Sequence, residues 1–290
     1  MEQSLIPSEK YSRLIALLRQ SGSAVLAFSG GVDSSFLLKA MKISGIKVLA
    51  VTAISETMPK RDRENCTALV REIGADHLVI KTDELANESF VRNTSERCFF
   101  CKDELFRKLK DIAGKRGFLI VFDGSNADDS EDYRPGRKAA ALHGVRSPLA
   151  ECGLSKKEIR DLSRELGLTT WDRPSSPCLS SRIPYGRRIS AEALHRVEKA
   201  EEFIRSLGVN EVRVRDHGDS ARIEVREEDM PKLLSPSNRR SIAGQLKSLG
   251  YHFVSLDLEG FRSGSMNRVL GDHDSGTPAP DISGASTDGH

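Results

Sequence analysis

Two stretches of this chain hold side chains whose types and spacing suit chemistry. The first is Ser29-Gly-Gly-Val-Asp-Ser-Ser35. Gly30 and Gly31 let backbone N–H groups approach an anion closely and accept unusual φ values. A helix opening here adds unpaired N–H donors and a partial positive charge. Ser29, Ser34 and Ser35 supply hydroxyl donors, and Asp33 is placed to hold a metal ion bridging phosphates. It is not a Walker loop, because the spaced glycine and the Lys-Ser/Thr ending are absent.

The second stretch runs from Trp171 to Gly186 and holds Cys178 among Pro174, Pro177 and Pro184. Three prolines exclude a helix or a central strand, so this is a shaped loop. A thiol with a pKa of about 8.5 is mostly protonated at neutral pH, and nearby cations lower that value. Arg173, Arg182, Arg187 and Arg188 are candidate cations. On composition alone Cys178 reads as a half-buried structural residue. Beside a phosphate-binding loop it reads instead as a candidate nucleophile.

Other residues add to the set. Thr52 ends a second apolar run, and Gly124, Ser125 and Asn126 follow a fourth. Each sits where a nucleotide binds in an open α/β sheet, and Asp128 or Asp129 is a candidate for Mg²⁺. Strand alternation puts Arg213, Arg215 and His217 on one face. With Arg182 and Arg262, and with Arg137 and Lys138 as further candidates, they suit either a solvated face or a pocket for substrate phosphate. Cys98 and Cys101 form a CxxC pair. A redox dithiol or half a zinc site is conceivable, but no second pair completes the zinc set, and a packed helix start is the preferred reading. Cys66 and Cys152 read as structural.

Alternating elements must position these residues. Ser8 is a candidate N-cap for a first amphipathic helix carrying Tyr11, Leu14, Ile15 and Leu18. Apolar runs at 24–28, 47–52, 77–80 and 118–122 alternate with helical segments at 33–43, 59–73 and 102–115. This order implies an α/β fold with a doubly wound parallel sheet. Beyond Gly186 the order becomes helix (191–207), two half-exposed strands (211–215 and 221–225), helix (238–249) and strand (253–258). The division is residues 1–188, a smaller α+β domain at 189–270, and a Gly, Ser, Asp and Pro-rich tail at 271–290 expected to be disordered.

Composition narrows the function classes. Among 290 residues, 44 Lys and Arg oppose 42 Asp and Glu, for a net charge of +2. That balance argues against a general nucleic-acid binder. Five unevenly spaced cysteines do not make a secreted disulfide framework. No apolar run approaches the roughly 20 residues of a membrane span, and no signal segment is visible, so a soluble cytoplasmic protein is expected.

The phosphate loop resembles that of the PP-loop ATP pyrophosphatases, which split ATP between the α and β phosphates. SGGVDSS, RCFFCK, GSNADD, CLSSRIPYG and LDLEGFRSGSMN also occur in the order seen in the LarE family of ATP-dependent sacrificial sulfur transferases. The similarity runs from about residue 10 to 270. It implies ATP and Mg²⁺ as cofactors and a pyridinium-3,5-dicarboxylate mononucleotide as substrate, in nickel-pincer nucleotide biosynthesis. It also implies a homo-oligomer, a hexamer by family. Cys178 stands at the sulfur-donor position, where the family's residue ends as dehydroalanine. Some members hold an iron–sulfur cluster on extra cysteines. Here only Cys178 lies between Trp171 and Gly186, so the single-turnover version is expected. The alternatives are a PP-loop tRNA thiolase and a non-catalytic nucleotide-binding regulatory module. An ammonia-dependent amidotransferase leaves Cys178 without a purpose.

Overall fold

A computed structural model describes residues 9–130 and 135–262. Ser8, the expected tail and the end of the LDLEGFRSGSMN segment lie outside the described residues. Four parallel strands, β1 (Ser23–Ala27), β2 (Lys47–Ile54), β3 (Asp76–Lys81) and β4 (Ile120–Phe122), stand in the order β3-β2-β1-β4. Helices α1 (Glu9–Gln20), α2 (Val32–Ser44), α3 (Lys60–Ile73) and α4 (Glu88–Val91) are followed by α5 (Arg97–Arg116). Then come α6 (Gly136–Leu142), α7 (Pro148–Glu151) and α8 (Lys156–Glu165).

The strands are apolar on both faces, and successive residues feed opposite cores. Ala24, Leu26, Val48 and Ala50 pack with α1, α2, α3 and α8. Val25, Leu49 and Val51 pack with α5 and α6. This is the doubly wound sheet that the alternation predicts. Strand order reverses between β1 and β4, and at that switch point ligands bind beyond the carboxyl ends.

The C-terminal part holds α9 (Ala191–Ser206), β5 (Val212–Asp216), β6 (Ser220–Val225), α10 (Met230–Leu234), α11 (Pro236–Ser248) and β7 (Phe253–Leu256). β5 and β6 are antiparallel, and β7 joins β6 in parallel. One departure from expectation matters. β5 and most of β6 are buried, not half-exposed. Val212 and Val214 enter the small domain's core, while Arg213 and Arg215 lie under the Cys178 loop. The charged face is covered because that loop packs on it. A fourth cluster joins the two parts: Phe90 and Val91 of α4 and Leu179, Ile183 and Ile189 meet Leu194 and Val197 of α9. The expected division at 188/189 runs through this cluster.

Gly30 shows how tightly the phosphate loop is seated. Its φ is +71°, and an added Cβ would lie 2.8 Å from the Cys66 sulfur on α3. Gly30→Ala is therefore expected to cost about 2 kcal/mol by urea denaturation, from strain plus overlap. The cost should fall in a Cys66→Ala background, which removes the overlap and leaves the strain.

Candidate functional site

The phosphate loop follows β1, and Gly31 caps α2 in extended conformation. The first-turn N–H groups of α2 thus face the switch point. Ser29 and Ser34 lie with their hydroxyl oxygens 3.2 Å apart, and the Ser34 hydroxyl donates to the Gly31 carbonyl. Gly124, beyond β4, is needed for close approach: a Cβ there would sit 3.1 Å from the Ser34 nitrogen. Ser35 corrects one expectation. It is fully buried and does not line the cavity beside the loop.

Asp33 is not alone. The Lys156 ammonium, at the start of α8, lies 2.5 Å from its carboxylate, and the Asn126 amide donates to it at 3.4 Å. Asp128 accepts a bond from the Lys156 backbone N–H. Sequence reading missed Lys156, because it lies over a hundred residues from the loop in a segment without a motif. Only its place as the first residue after Ser155, an N-cap signal, hints at a helix start. A site with one or two carboxylates and room for phosphate oxygens suits Mg²⁺. Among the described residues no group of three or more His, Cys, Asp or Glu side chains is gathered to hold a metal ion.

A cavity of about 380 Å³ opens beside the loop. Ser29, Gly30 and Gly31 form one wall, and Cys98, Cys101 and Cys178 share the space with them. That overturns the packed-helix-start reading of the CxxC pair as its whole role. Both cysteines stand on the first turns of α5 and face the same cavity as Cys178. Cys98 is exposed as a residue, yet its thiol is walled in, and this desolvation raises its pKa. Burial, with the Glu84 carboxylate adding to it, pushes the Cys101 thiol up further.

Thr52 is a second correction. β2 runs on to Ile54, so Thr52 lies inside the sheet, 1% exposed, donating to the Phe28 carbonyl. The strand's true end brings Ser55 and Thr57 to the cavity instead. Gly124 and Asn126 do not line this cavity either. Ser125, Asn126, Arg137, Arg146, Ser147 and Glu151 border another, of about 430 Å³.

The Cys178 loop is held at almost every residue. Arg173 donates to the Gly30 carbonyl at 2.9 Å, tying the loop to the phosphate site. Ser176 donates to Asp62 on α3, and the Leu179 N–H donates to the Thr57 carbonyl. The Cys178 carbonyl accepts from the Ser181 hydroxyl and from Arg182. The thiol itself is exposed. An immobile backbone thus presents a reachable sulfur.

The arginines prove to be builders of this loop more than solvent-facing anion ligands. Arg182, 1% exposed, makes a two-pronged pair with Glu201 of α9 at 2.8 and 3.0 Å. Arg215 pairs in the same way with Glu224 and donates to the Ser181 carbonyl. Arg213 donates to the Ser175 carbonyl and stacks on Phe261, and desolvation beside Arg182 lowers its pKa to about 10. Arg262 is exposed and pairs with Glu259 on its own turn. Arg188 pairs with Glu88, and Lys138 with Glu96. His217 is exposed beyond β5. Arg182 and Arg215 are corrected from substrate ligands to supports, because carboxylates within the fold already occupy them.

Phosphate loop, doubly wound sheet and adjoining cavity together define a PP-loop ATP pyrophosphatase-like protein. An ammonia-dependent NAD⁺ synthetase of Staphylothermus marinus, of that fold class, is 40% identical over 67 residues, 22% of this chain and 24% of its own. The pyridinium-3,5-bisthiocarboxylic acid mononucleotide synthase of Lactiplantibacillus plantarum is 40% identical over 263 residues, 90% of this chain and 95% of its own. An uncharacterized Synechocystis protein is 44% identical over 248 residues, 85% of this chain and 92% of its own. No protein-family model matches the chain. The chain belongs to the family of that synthase, the LarE family.

Burial opposes the charge of Glu201, but Arg182, with Arg205 and Arg213, holds its carboxyl below the usual range. Its stabilising share is present above the unfolded carboxylate pKa of about 4.3 and is lost as pH falls below it. Arg182→Met leaves a buried charge short of its main partner and is expected to cost about 3–5 kcal/mol by urea denaturation at pH 7. The double variant Arg182→Met with Glu201→Leu should recover much of that loss.

Proposed function

We propose that this protein is an ATP-dependent sulfur transferase acting on a pyridinium-3,5-dicarboxylate mononucleotide in nickel-pincer nucleotide biosynthesis. One observation carries the reading: a reachable thiol on a fixed backbone shares a cavity with the phosphate loop. Ser29, Gly30, Gly31 and Ser34 hold the ATP phosphates. Asp33, with Asp128 as the second candidate, would hold Mg²⁺, and the ion would supply charge neutralisation to the phosphates. A substrate carboxylate oxygen attacks the α phosphorus, giving an acyl adenylate and pyrophosphate. The Cys178 sulfur attacks the acyl carbon, and AMP departs. A base removes the Cys178 Cα proton, and those electrons form the Cα–Cβ double bond as the Cβ–S bond breaks. The product leaves with sulfur as a thiocarboxylate, and residue 178 is left as dehydroalanine.

The fixed loop supports this route, since every bond described holds backbone or neighbours and none is lost when the sulfur leaves. Arg262 remains the candidate for substrate phosphate in this proposal, while Arg213, buried and donating to the Val212 and Ser175 carbonyls, joins the residues that support the loop. A cytoplasmic location, a homo-oligomer of the family's hexameric kind, no nucleic-acid partner and the two-domain division at 188/189 belong to it as well. Among the described residues no helix is long and apolar enough to cross a membrane. A second reading is multiple turnover: external sulfide, held beside Cys98 and Cys101, adds to Cβ of the dehydroalanine at residue 178 while Cα takes a proton, which restores the thiol, and the cavity shared by the three cysteines favours it.

Intact-mass spectrometry after reaction with ATP, Mg²⁺ and substrate separates the two. Single turnover predicts a protein lighter by one H₂S, with product never exceeding protein. An unchanged mass with several products per chain supports the second reading, and Cys98→Ser with Cys101→Ser should then stop after one. Cys178→Ala is expected to release pyrophosphate and yet form no thiocarboxylate.

A further inference from the structure

Glu84 is a buried charged group in this cavity that the proposed chemistry does not use. It opens a short turn after β3, Glu84–Ala86, and is 5% exposed. One carboxylate oxygen accepts the Thr82 hydroxyl at 2.9 Å and the Cys101 thiol at 3.8 Å. The other has no hydrogen-bond partner. Among the described residues no Lys, Arg or His forms an ion pair with it. A buried carboxylate without a cation is costly. Yet Glu84 lines the cavity within one cysteine of Cys178, on a wall that also carries Phe28 and Phe90. A cation in the cavity would offset that cost.

We infer that Glu84 is a specificity-determining residue that recognises the positive ring nitrogen of the substrate. This rests on the sulfur-transferase reading above and deepens it. A 3,5-disubstituted pyridinium has its nitrogen two ring bonds from each carboxyl-bearing carbon. A ring whose carboxylate meets Cys178 therefore brings its nitrogen into the same small space as Glu84. Opposite charges sharing a partly desolvated cavity attract more strongly than in water. The substrate carboxylates need the opposite sign, and Arg97 and Lys102 line the same cavity. The buried Arg97 Nε also lacks a hydrogen-bond partner. Rotation about the bond from ring nitrogen to sugar exchanges positions 3 and 5 and leaves the nitrogen in place. A fixed anchor for the nitrogen thus serves both carboxylates in turn.

The test compares two probes by calorimetry with a non-hydrolysable ATP analogue present. Nicotinic acid mononucleotide has a cationic ring, and its dihydropyridine form has a neutral ring of similar outline. The wild-type protein is expected to prefer the cation by about tenfold or more. Glu84→Gln should bring the ratio to within about threefold, while Glu84→Asp keeps the preference. Affinity for the ATP analogue reports folding of each variant, and a merely structural role would move both probes together. Glu84→Gln with the wild-type ratio overturns the inference, and so does a wild-type protein that binds both probes equally. If the wild-type protein binds neither probe and releases no pyrophosphate with the dicarboxylate, the sulfur-transferase reading falls too. Should Glu84→Gln fail to fold, the wild-type ratio and Glu84→Asp still decide.

Discussion

The buried pair between Arg182 and Glu201 is the constraint on which the site depends. Arg182 belongs to the cysteine loop and Glu201 to α9, so the pair joins the loop to the small domain. Glu201 also accepts the backbone N–H of Val214, which fixes β5 against the same carboxylate. The free edge of the guanidinium then holds the carbonyls of Pro177 and Cys178. One ion pair therefore sets the position of the reactive residue's own peptide. Well-packed apolar residues in place of both partners would come close to its stability, as with other buried pairs. They would not supply donors for those two carbonyls.

From the other side the loop is held by the nucleotide domain. Arg173 reaches the Gly30 carbonyl, and Leu179 the Thr57 carbonyl. The phosphate loop and the thiol are thus parts of one hydrogen-bonded frame. Bringing an acyl carbon and a nucleophile together is worth much of a reaction barrier only when both are held. Phe28, Val51 and Met58 give the cavity apolar walls, which under the proposed chemistry would shield an acyl adenylate from hydrolysis.

Much of the fold was legible, for a physical reason. Strands buried on both faces read as short apolar runs, and those between 24 and 122 fall on the four strands. α6, α7 and the short α4 and α10 went unread, since brief helices leave weak periodicity, and α8 went unread although its amphipathic pattern and Ser155–Glu158 capping box mark a helix. The phosphate loop was legible because backbone geometry demands glycines locally. Lys156, Ser55, Thr57 and Glu84 were not, because they reach the site through folding alone. The arginines show the opposite error. Their types suggested anion binding, but which anion they meet is decided by Glu201 and Glu224, residues whose burial no local pattern announces.

The CxxC pair makes the same point with more consequence. Its spacing reads as a packed helix start, and it is one: α5 begins at Arg97. What spacing does not reveal is that this helix start forms a wall opposite the proline-rich loop. Two desolvated thiols facing an exposed one are more than packing requires, and burial keeps Cys101 protonated, so that it serves as a thiol donor. That donor is directed at Glu84. Cys101 therefore helps to hold the Glu84 carboxylate at the cavity, where the inference above places the cationic ring, whether or not the pair also handles sulfur. A single cavity wall then accounts for two features that sequence alone left without a purpose.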